Sequence, residues 1–136
     1  MAIEVPLFKL PAHIAGADLS AKQYRFVKGD SATDFRVVAV TVDGEFALGV
    51  LQNKPNAAGV EAEVMIAGVT KLVAAEAITR YAFVGVDSVG EGKIVEESNT
   101  GADIGDWILG LALEDAADGD LFACLIGFHN HRVEAA

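Results

Sequence analysis

The sequence contains two segments, 44–68 and 105–127, that repeat one pattern of apolar stretches and glycines. The first reads Gly-Glu-Phe-Ala-Leu-Gly-Val-Leu and, after a linker ending at Gly59, Glu-Ala-Glu-Val-Met-Ile-Ala-Gly. The second reads Gly-Asp-Trp-Ile-Leu-Gly-Leu-Ala-Leu and, after a linker ending at Gly119, Asp-Leu-Phe-Ala-Cys-Leu-Ile-Gly. Two apolar stretches joined by a small-residue turn are typical of a β-hairpin. Two copies are too few for a solenoid, so the repeat predicts one compact β domain containing two related hairpin modules.

The composition supports a single domain with a core of its own. The chain has 136 residues, of which 52% are hydrophobic and 22% are charged. Its apolar runs, such as Val37–Val40 and Phe122–Ile126, are far shorter than the roughly 18 residues that a membrane helix needs. The first residues lack the basic and apolar regions of a secretory signal. We therefore expect no membrane span, and we expect synthesis in a cytoplasm.

The net charge argues against some classes of partner, and the single cysteine gives no sign of a reactive site. A formal net charge of −10 repels phosphate backbones and anionic membranes, so nucleic-acid binding is disfavoured. Cys124 lies in an apolar stretch, where a buried and inert thiol is the ordinary state. The large apolar fraction, combined with few positive charges, predicts that some apolar surface is buried between subunits of an oligomer.

The periodicity predicts a mainly β chain, a compact barrel-like or sandwich-like domain with minimal helix and an extended N-terminal arm. Only Ala74–Ile78 has the composition of a single helical turn. We divide the chain into an arm (1–19), one β-rich domain (20–127) and a C-terminal tail (128–136), with a surface loop at 87–106. The predicted strands are 21–28, 35–41, 48–52, 61–66, 69–73, 81–86, 93–96, 107–113 and 120–126.

Two sets of apolar residues are candidates for contact with a partner. In the arm, prolines disfavour both a helix and a central strand, which leaves an extended segment with apolar anchors. This segment either packs on its own domain or binds a partner, and its candidate residues are Pro6, Leu7, Phe8, Leu10 and Pro11. Phe46 and Trp107 occupy equivalent places in the two copies of the repeat, which favours packing in the core or between subunits over a stacking platform.

The sequence contains no recognisable motif for catalysis, metal binding or cofactor binding. His129 and His131 have the spacing of two ligands on one strand, but a tetrahedral metal site needs further ligands and His13 is the only other imidazole. The carboxylates of 114–120 do not follow the ligand spacing of a calcium loop. Phosphate-binding and nucleophile motifs are missing as well. We expect no catalytic residue, no metal, no cofactor and no enzymatic activity.

Three stretches resemble the capsid decoration (cement) proteins of tailed bacteriophages, small β-rich head proteins often described only as a domain of unknown function. These stretches read Ala-Leu-Gly-Val-Leu-Gln-Asn-Lys-Pro at 47–55, Glu-Val-Met-Ile-Ala-Gly-Val-Thr-Lys at 63–71 and Ile-Leu-Gly-Leu-Ala-Leu-Glu-Asp-Ala-Ala-Asp-Gly-Asp at 108–120. The resemblance covers about residues 20–127. It implies a β-rich subunit, commonly a homotrimer, that binds the major capsid protein on the exterior of the mature virion and stabilises the shell across capsomer seams.

Two other classes of function remain open on the residues alone. One is an oligomeric β domain that binds a small ligand or a glycan through Trp107, Tyr81 or the 87–106 loop, for which we expect a concave pocket lined by aromatic rings. The other is a trimeric β-barrel hydrolase similar to the dUTPases. The acidic and glycine motifs of that family do not occur in this chain.

Overall fold

The computed structural model describes residues 2–96 and 105–131, and in these residues every regular element is a β-strand. This confirms the prediction of a mainly β fold. The described part of the chain holds no helix long and apolar enough to cross a membrane. The strands are β1 (Val5–Lys9), β2 (Ile14–Ala15), β3 (Phe26–Gly29), β4 (Arg36–Ala39), β5 (Gly49–Leu51), β6 (Val64–Val73), β7 (Phe83–Val86), β8 (Gly92–Ile94), β9 (Trp107–Ala112) and β10 (Leu121–His131).

The strands form one sheet in the order β2-β4-β3-β5-β6-β10-β9-β7-β8, and β1 pairs with β6 outside this path. Neighbouring strands are antiparallel except β2 and β4, which run parallel over two residue pairs. Nearly all pairs are thus of the antiparallel type that short turns connect. The predicted arm contributes β1 and β2 to the sheet, and β10 crosses the boundary predicted at residue 127.

The ten-residue strand β6 organises the whole sheet. Met65 pairs with both Val50 and Lys9, and Val69 pairs with both Val5 and Leu125. Because the two partners of a strand residue lie on its opposite edges, β1 covers one edge of β6, whereas β5 and β10 follow each other along the other edge. Strand β6 therefore joins two halves of the sheet.

The buried side chains form two clusters, and the larger one draws on strands from both halves of the sheet. The larger cluster includes Phe26, Met65, Leu72 and Phe122, and the smaller one is built around Leu51 and other aliphatic side chains. Phe122 is fully buried, and truncating such a ring to alanine typically costs about 3–5 kcal/mol. These two clusters fix the positions of the strands that carry the candidate site.

The structure confirms the two hairpin modules. Strands β5 and β6 form one antiparallel pair, and β9 and β10 form the other. Gly49 and Gly110 occupy the same place in the two pairs: a Cβ on Gly49 would collide with the carbonyl oxygen of Met65, and one on Gly110 would lie 2.8 Å from the carbonyl oxygen of Leu125. Both glycines are needed because the partner backbone leaves no room for a side chain.

The turn glycines of the two copies also correspond. Gly59 has φ = +89° and Gly119 has φ = +85°, and no atom lies within 4 Å of a Cβ built on either of them. At these positions glycine is favoured by its left-handed backbone conformation and not by crowding. The sequence repeat is therefore a repeat of local structure.

Two local predictions are wrong. Ala74–Ile78 forms no helical turn, because its N–H groups bond outside the segment: those of Ala74, Ala75 and Ile78 donate to the carbonyls of Asp120, Gly92 and Ala116. The strand expected over 21–28 begins at Phe26 instead. The backbone at Tyr24 has φ = +61°, which lies outside the β region and interrupts the strand.

Candidate functional site

Strand β1 presents an exposed apolar surface. Half or more of Val5, Leu7 and Phe8 is accessible to solvent, with exposed fractions of 50%, 66% and 65%. Pro6 and Pro11 are exposed as well, whereas Leu10 is partly buried and packs against the smaller core cluster. Of the residues predicted for partner binding, Pro6, Leu7 and Phe8 lie on β1, whereas Leu10 and Pro11 follow it, and Leu10 connects the segment to the interior.

The outer edge of β1 is poorly suited to pairing with a further strand. The carbonyl of Val5 and the N–H of Leu7 face Gly68 of β6. Because backbone polar groups alternate in direction along a strand, the nitrogen of Pro6 faces the outer edge, where proline has no N–H to donate. A proline in this place protects an edge strand from strand addition. The side chains of β1, more than its backbone, are what this surface offers a partner.

A largely apolar cavity of about 360 Å³ adjoins β1 at Leu10. Among the described residues that line it, only His129 has a polar side chain. The cavity lies between the segment that leads into β5 and the C-terminal part of β10. Ile66 and Ala67 of β6, which pair with neither strand, also line it. Its lining residues are Leu10, Phe26, Phe46, Ala47, Leu48, Gly49, Ile66, Ala67, Leu109, Ile126, Gly127, Phe128 and His129.

The wall contributed by β10 depends on Gly127. The pairing of β10 with β9 shifts register between Ile126 and Asn130, and Gly127 has φ = +117°. A Cβ on Gly127 would lie 2.9 Å from the Cβ of Ala67 in β6. The glycine therefore lets β10 pass closely over β6 and carry Phe128 and His129 to the cavity.

Three aromatic rings stand together beside the cavity. The ring centroids of Phe46 and Trp107 are 5.0 Å apart, and His129 lies 5.1 Å from Phe46 and 5.8 Å from Trp107. Edge-to-face contacts at these distances are favourable. The equivalent aromatic residues of the two hairpins are thus in direct contact, and Phe46 remains 38% exposed.

An ion cluster links the two segments that carry Phe46 and Trp107. The ammonium of Lys93 lies 2.6 Å from a carboxylate oxygen of Asp43 and 2.5 Å from one of Asp106. Burial alone would lower the pKa of Lys93, but the hydrogen bonds and charges of Asp106 and Asp43 outweigh it and raise the pKa. The N–H of Trp107 also donates to the carbonyl of Gly44 at 3.0 Å. The starts of the two hairpin modules are therefore tied to each other.

The other residues considered from sequence lie apart from this site. Tyr81 is exposed on a turn before β7 and does not line the cavity. Among the described residues, no three His, Cys, Asp or Glu side chains are arranged to hold a metal ion. Most of the predicted 87–106 loop is described, but residues 97–104 and the side chain of His131 lie outside the described part of the structure. Burial raises the pKa of Cys124 to about 12, so its thiol is protonated at neutral pH.

A concave aromatic-lined pocket was expected only for a ligand-binding domain, through Trp107, Tyr81 or the 87–106 loop, and none of these is among the described residues that line the cavity. Its lining comes from positions as distant as Leu10 and His129, and no local pattern brings these together. One local signal was present: Phe128 and His129 directly follow the last glycine of the second copy. A glycine within a strand often marks a bulge, a tight bend or a close approach of another backbone, and this is the local signal at Gly127.

Comparisons with known proteins place the fold. No protein family model matches the chain, and no curated protein matches it either. Among solved structures, the chain is similar to the head fiber gp8.5 N base of bacteriophage phi29, with a TM-score of 0.61 and 15% sequence identity. The similarity covers 91% of this chain and 94% of that chain. At this level of identity the likeness shows a common fold, and this chain has the fold of that head fiber base.

Proposed function

We propose that this protein is a structural component of a bacteriophage head that binds the outer surface of the mature capsid and stabilises it across the seams between capsomers. The observation that carries the proposal is the common fold with a phage head fiber base over nearly the full length of both chains. The resemblance of residues 20–127 to capsid decoration proteins supports the same class of function independently. The expected partners are the major capsid protein and further copies of this chain, as a homotrimer.

The exposed side chains of β1 supply a physical basis for such binding. Fully burying an exposed valine, leucine or phenylalanine side chain contributes about 1.5–3 kcal/mol. Val5, Leu7 and Phe8 are already held in an extended strand by pairing with β6, so little conformational entropy is lost when they bind. A protein attached in this way adds interface area that outward strain on the shell must also break.

The described residues offer little support for an enzyme. Acid–base or nucleophilic catalysis needs several polar side chains that converge on one point. The cavity has one such side chain, His129, in an otherwise apolar lining. We therefore propose a structural and not a catalytic role.

Co-sedimentation with undecorated capsid shells tests the proposal. We expect saturable binding to expanded shells, and the double variant Leu7→Ser/Phe8→Ser to bind much more weakly. Val42→Ser is the matched control, because Val42 is 57% exposed and lies outside β1, between β4 and β5. Failure to bind shells before or after expansion would refute the virion role. Equal binding by the double variant would show that β1 is not the contact.

One observation favours a second function, the binding of a small ligand in the cavity. The aromatic side chains of Phe46 and His129 at its wall, and its volume of about 360 Å³, suit a sugar ring or a small apolar molecule. Trp107 is the only tryptophan and contacts both rings, so its fluorescence reports on the site. Titration with methyl glycosides and with cyclohexanol should give a saturable change if the cavity is a ligand site.

A further inference from the structure

We infer that β1 is an exchangeable strand, which pairs with β6 of a neighbouring copy of the chain in the register that it has within one chain. The partner is thus a second copy, and the binding surface is the edge of β6 that β1 covers. This inference concerns self-association and does not depend on the proposed role in a virion.

The edge of β6 is shaped for this particular strand. A Cβ on Gly68 would collide with the carbonyl oxygen of Val5 and lie 2.8 Å from the nitrogen of Leu7, so β1 occupies the space of a missing side chain. The same edge is present on every copy of the protein. Exchange therefore reproduces these backbone contacts between two chains, which makes it a low-cost route to an oligomer.

The charges at the ends of β1 complement the same surface. Glu4 lies 3.4 Å from the ammonium of Lys71, and the ammonium of Lys9 lies 3.9 Å from the carboxylate of Glu63. An acidic group thus precedes the apolar strand and a basic group ends it. The opposite charges that face them come from Lys71 of β6 and from Glu63, which directly precedes β6. A second copy presents the same order of charges, so the complementarity favours the same direction and register of the strand.

The segment that follows β1 has the properties of a hinge. The N–H of Leu10 donates to the carbonyl of Val64 at 2.9 Å, which anchors the chain just after β1. Ala12 has φ = +57°, a left-handed conformation that is strained for a residue with a side chain. An extended course through Pro11 and Ala12 relieves this strain, and extension carries β1 away from its own β6.

Exchange also accounts for apolar surface that a single copy leaves open. Leu7 and Phe8 on β1 and Phe35 beside the hinge are each more than 60% exposed, and the ring of Phe35 contacts that of His13. Exchange in the same register leaves Leu7 and Phe8 as exposed as they are in a single copy. The new contact lies at the hinge, where two copies that exchange β1 meet and Phe35 is covered by the neighbouring chain.

Disulfide trapping between single-cysteine variants tests the inference. Val5 and Val69 are Cα partners in the β1–β6 pair, a relation that brings the Cα atoms within the about 4.4–6.8 Å that a disulfide requires. Val5→Cys and Val69→Cys proteins, each also carrying Cys124→Ala to remove the native thiol, are mixed, refolded together, oxidised and run on a non-reducing gel. We expect a covalent dimer containing one chain of each variant.

A mixture of Val73→Cys and Leu121→Cys is the matched control, because these residues are partners in the β6–β10 pair, which is not exchanged. Two results together would overturn the inference. The heterodimer yield would be no higher than in this control, and the Val5→Cys/Val69→Cys double variant would form only intrachain disulfide. Shell binding measured on the same preparations is a separate readout, so a failed exchange is distinguishable from a failed virion role.

The hinge is tested by Ala12→Gly, which removes the strain from the unexchanged form. Because glycine adopts the left-handed conformation without strain, we expect this variant to lower the yield of the trapped heterodimer by about tenfold. An unchanged yield would overturn the role assigned to the hinge.

Discussion

The glycines of the two hairpin modules make the sharpest prediction about stability. Gly49 and Gly110 are equivalent and crowded by the partner strand, whereas Gly59 and Gly119 are equivalent and face open space with a positive φ. The four single alanine variants therefore separate the cost of a steric collision from the cost of backbone strain. We expect Gly49→Ala and Gly110→Ala to be the more destabilised pair.

The magnitudes follow from the contacts. At Gly59 and Gly119 an added methyl group meets no atom, so the cost is left-handed strain of roughly 1–2 kcal/mol. At Gly49 the methyl group meets the backbone carbonyl of Met65, which cannot rotate away as a side chain does. Overpacking costs about 1–3 kcal/mol, and opening the ladder adds roughly 1 kcal/mol for each hydrogen bond lost. We expect a total of about 3 kcal/mol or more.

Equilibrium unfolding in urea measures these differences in the free energy of unfolding. Gly119→Asn is the internal control, because asparagine tolerates the left-handed conformation and should restore much of the stability lost in Gly119→Ala. If Gly110→Ala proved no less stable than Gly119→Ala, the structural equivalence of the crowded glycines would be wrong.

Two other predictions concern ionisable groups, the buried thiol of Cys124 and the partly buried ammonium of Lys93. Because burial raises the pKa of Cys124 to about 12 and an unfolded thiol ionises near about 8.5, the unfolded state loses its proton first as the pH rises. The free energy of unfolding should therefore fall by up to about 1.4 kcal/mol per pH unit above that pH, and urea titrations should show that Cys124→Ala removes this dependence. Lys93→Met leaves the carboxylates of Asp43 and Asp106 close together without their cation, so we expect the free energy of unfolding to fall by about 1–3 kcal/mol. Adding Asp106→Asn removes one of the two negative charges, and thermal unfolding should show that it recovers part of this loss.

The sequence predicted the structure correctly where the backbone conformation depends on residues close together in the chain. The repeat predicted both hairpins because a glycine that accommodates a neighbouring carbonyl and a glycine with positive φ each leave a mark at one position. The helical turn predicted at 74–78 failed for the opposite reason. Its residues are compatible with helix, but their N–H groups bond to strands that are distant in sequence, and no local pattern reports such partners.

The placement of β1 and the cavity was beyond sequence reasoning. The prolines correctly indicated an extended segment, but the edge of β6 that receives it is more than 50 residues away in the chain, as the pairing of Val5 with Val69 shows. The exposure of Leu7 and Phe8 follows from that position, since an edge strand paired on one side gains little cover. Such outcomes depend on long-range pairing, which composition does not encode.

The cavity arises from a difference between the two copies of the repeat. Gly68 and Gly127 end the matching segments and both have positive φ, at +127° and +117°. After Gly68, β6 continues as a central strand and pairs with β10. After Gly127, β10 has no equivalent partner on β6, so it passes over Ala67 and rejoins β9 at Asn130. The residues between these points, Phe128 and His129, are free of the β6 ladder and form one wall of the cavity. The two copies of the repeat therefore form the central strands of the sheet, and the candidate site lies where the second copy departs from the first, after Gly127.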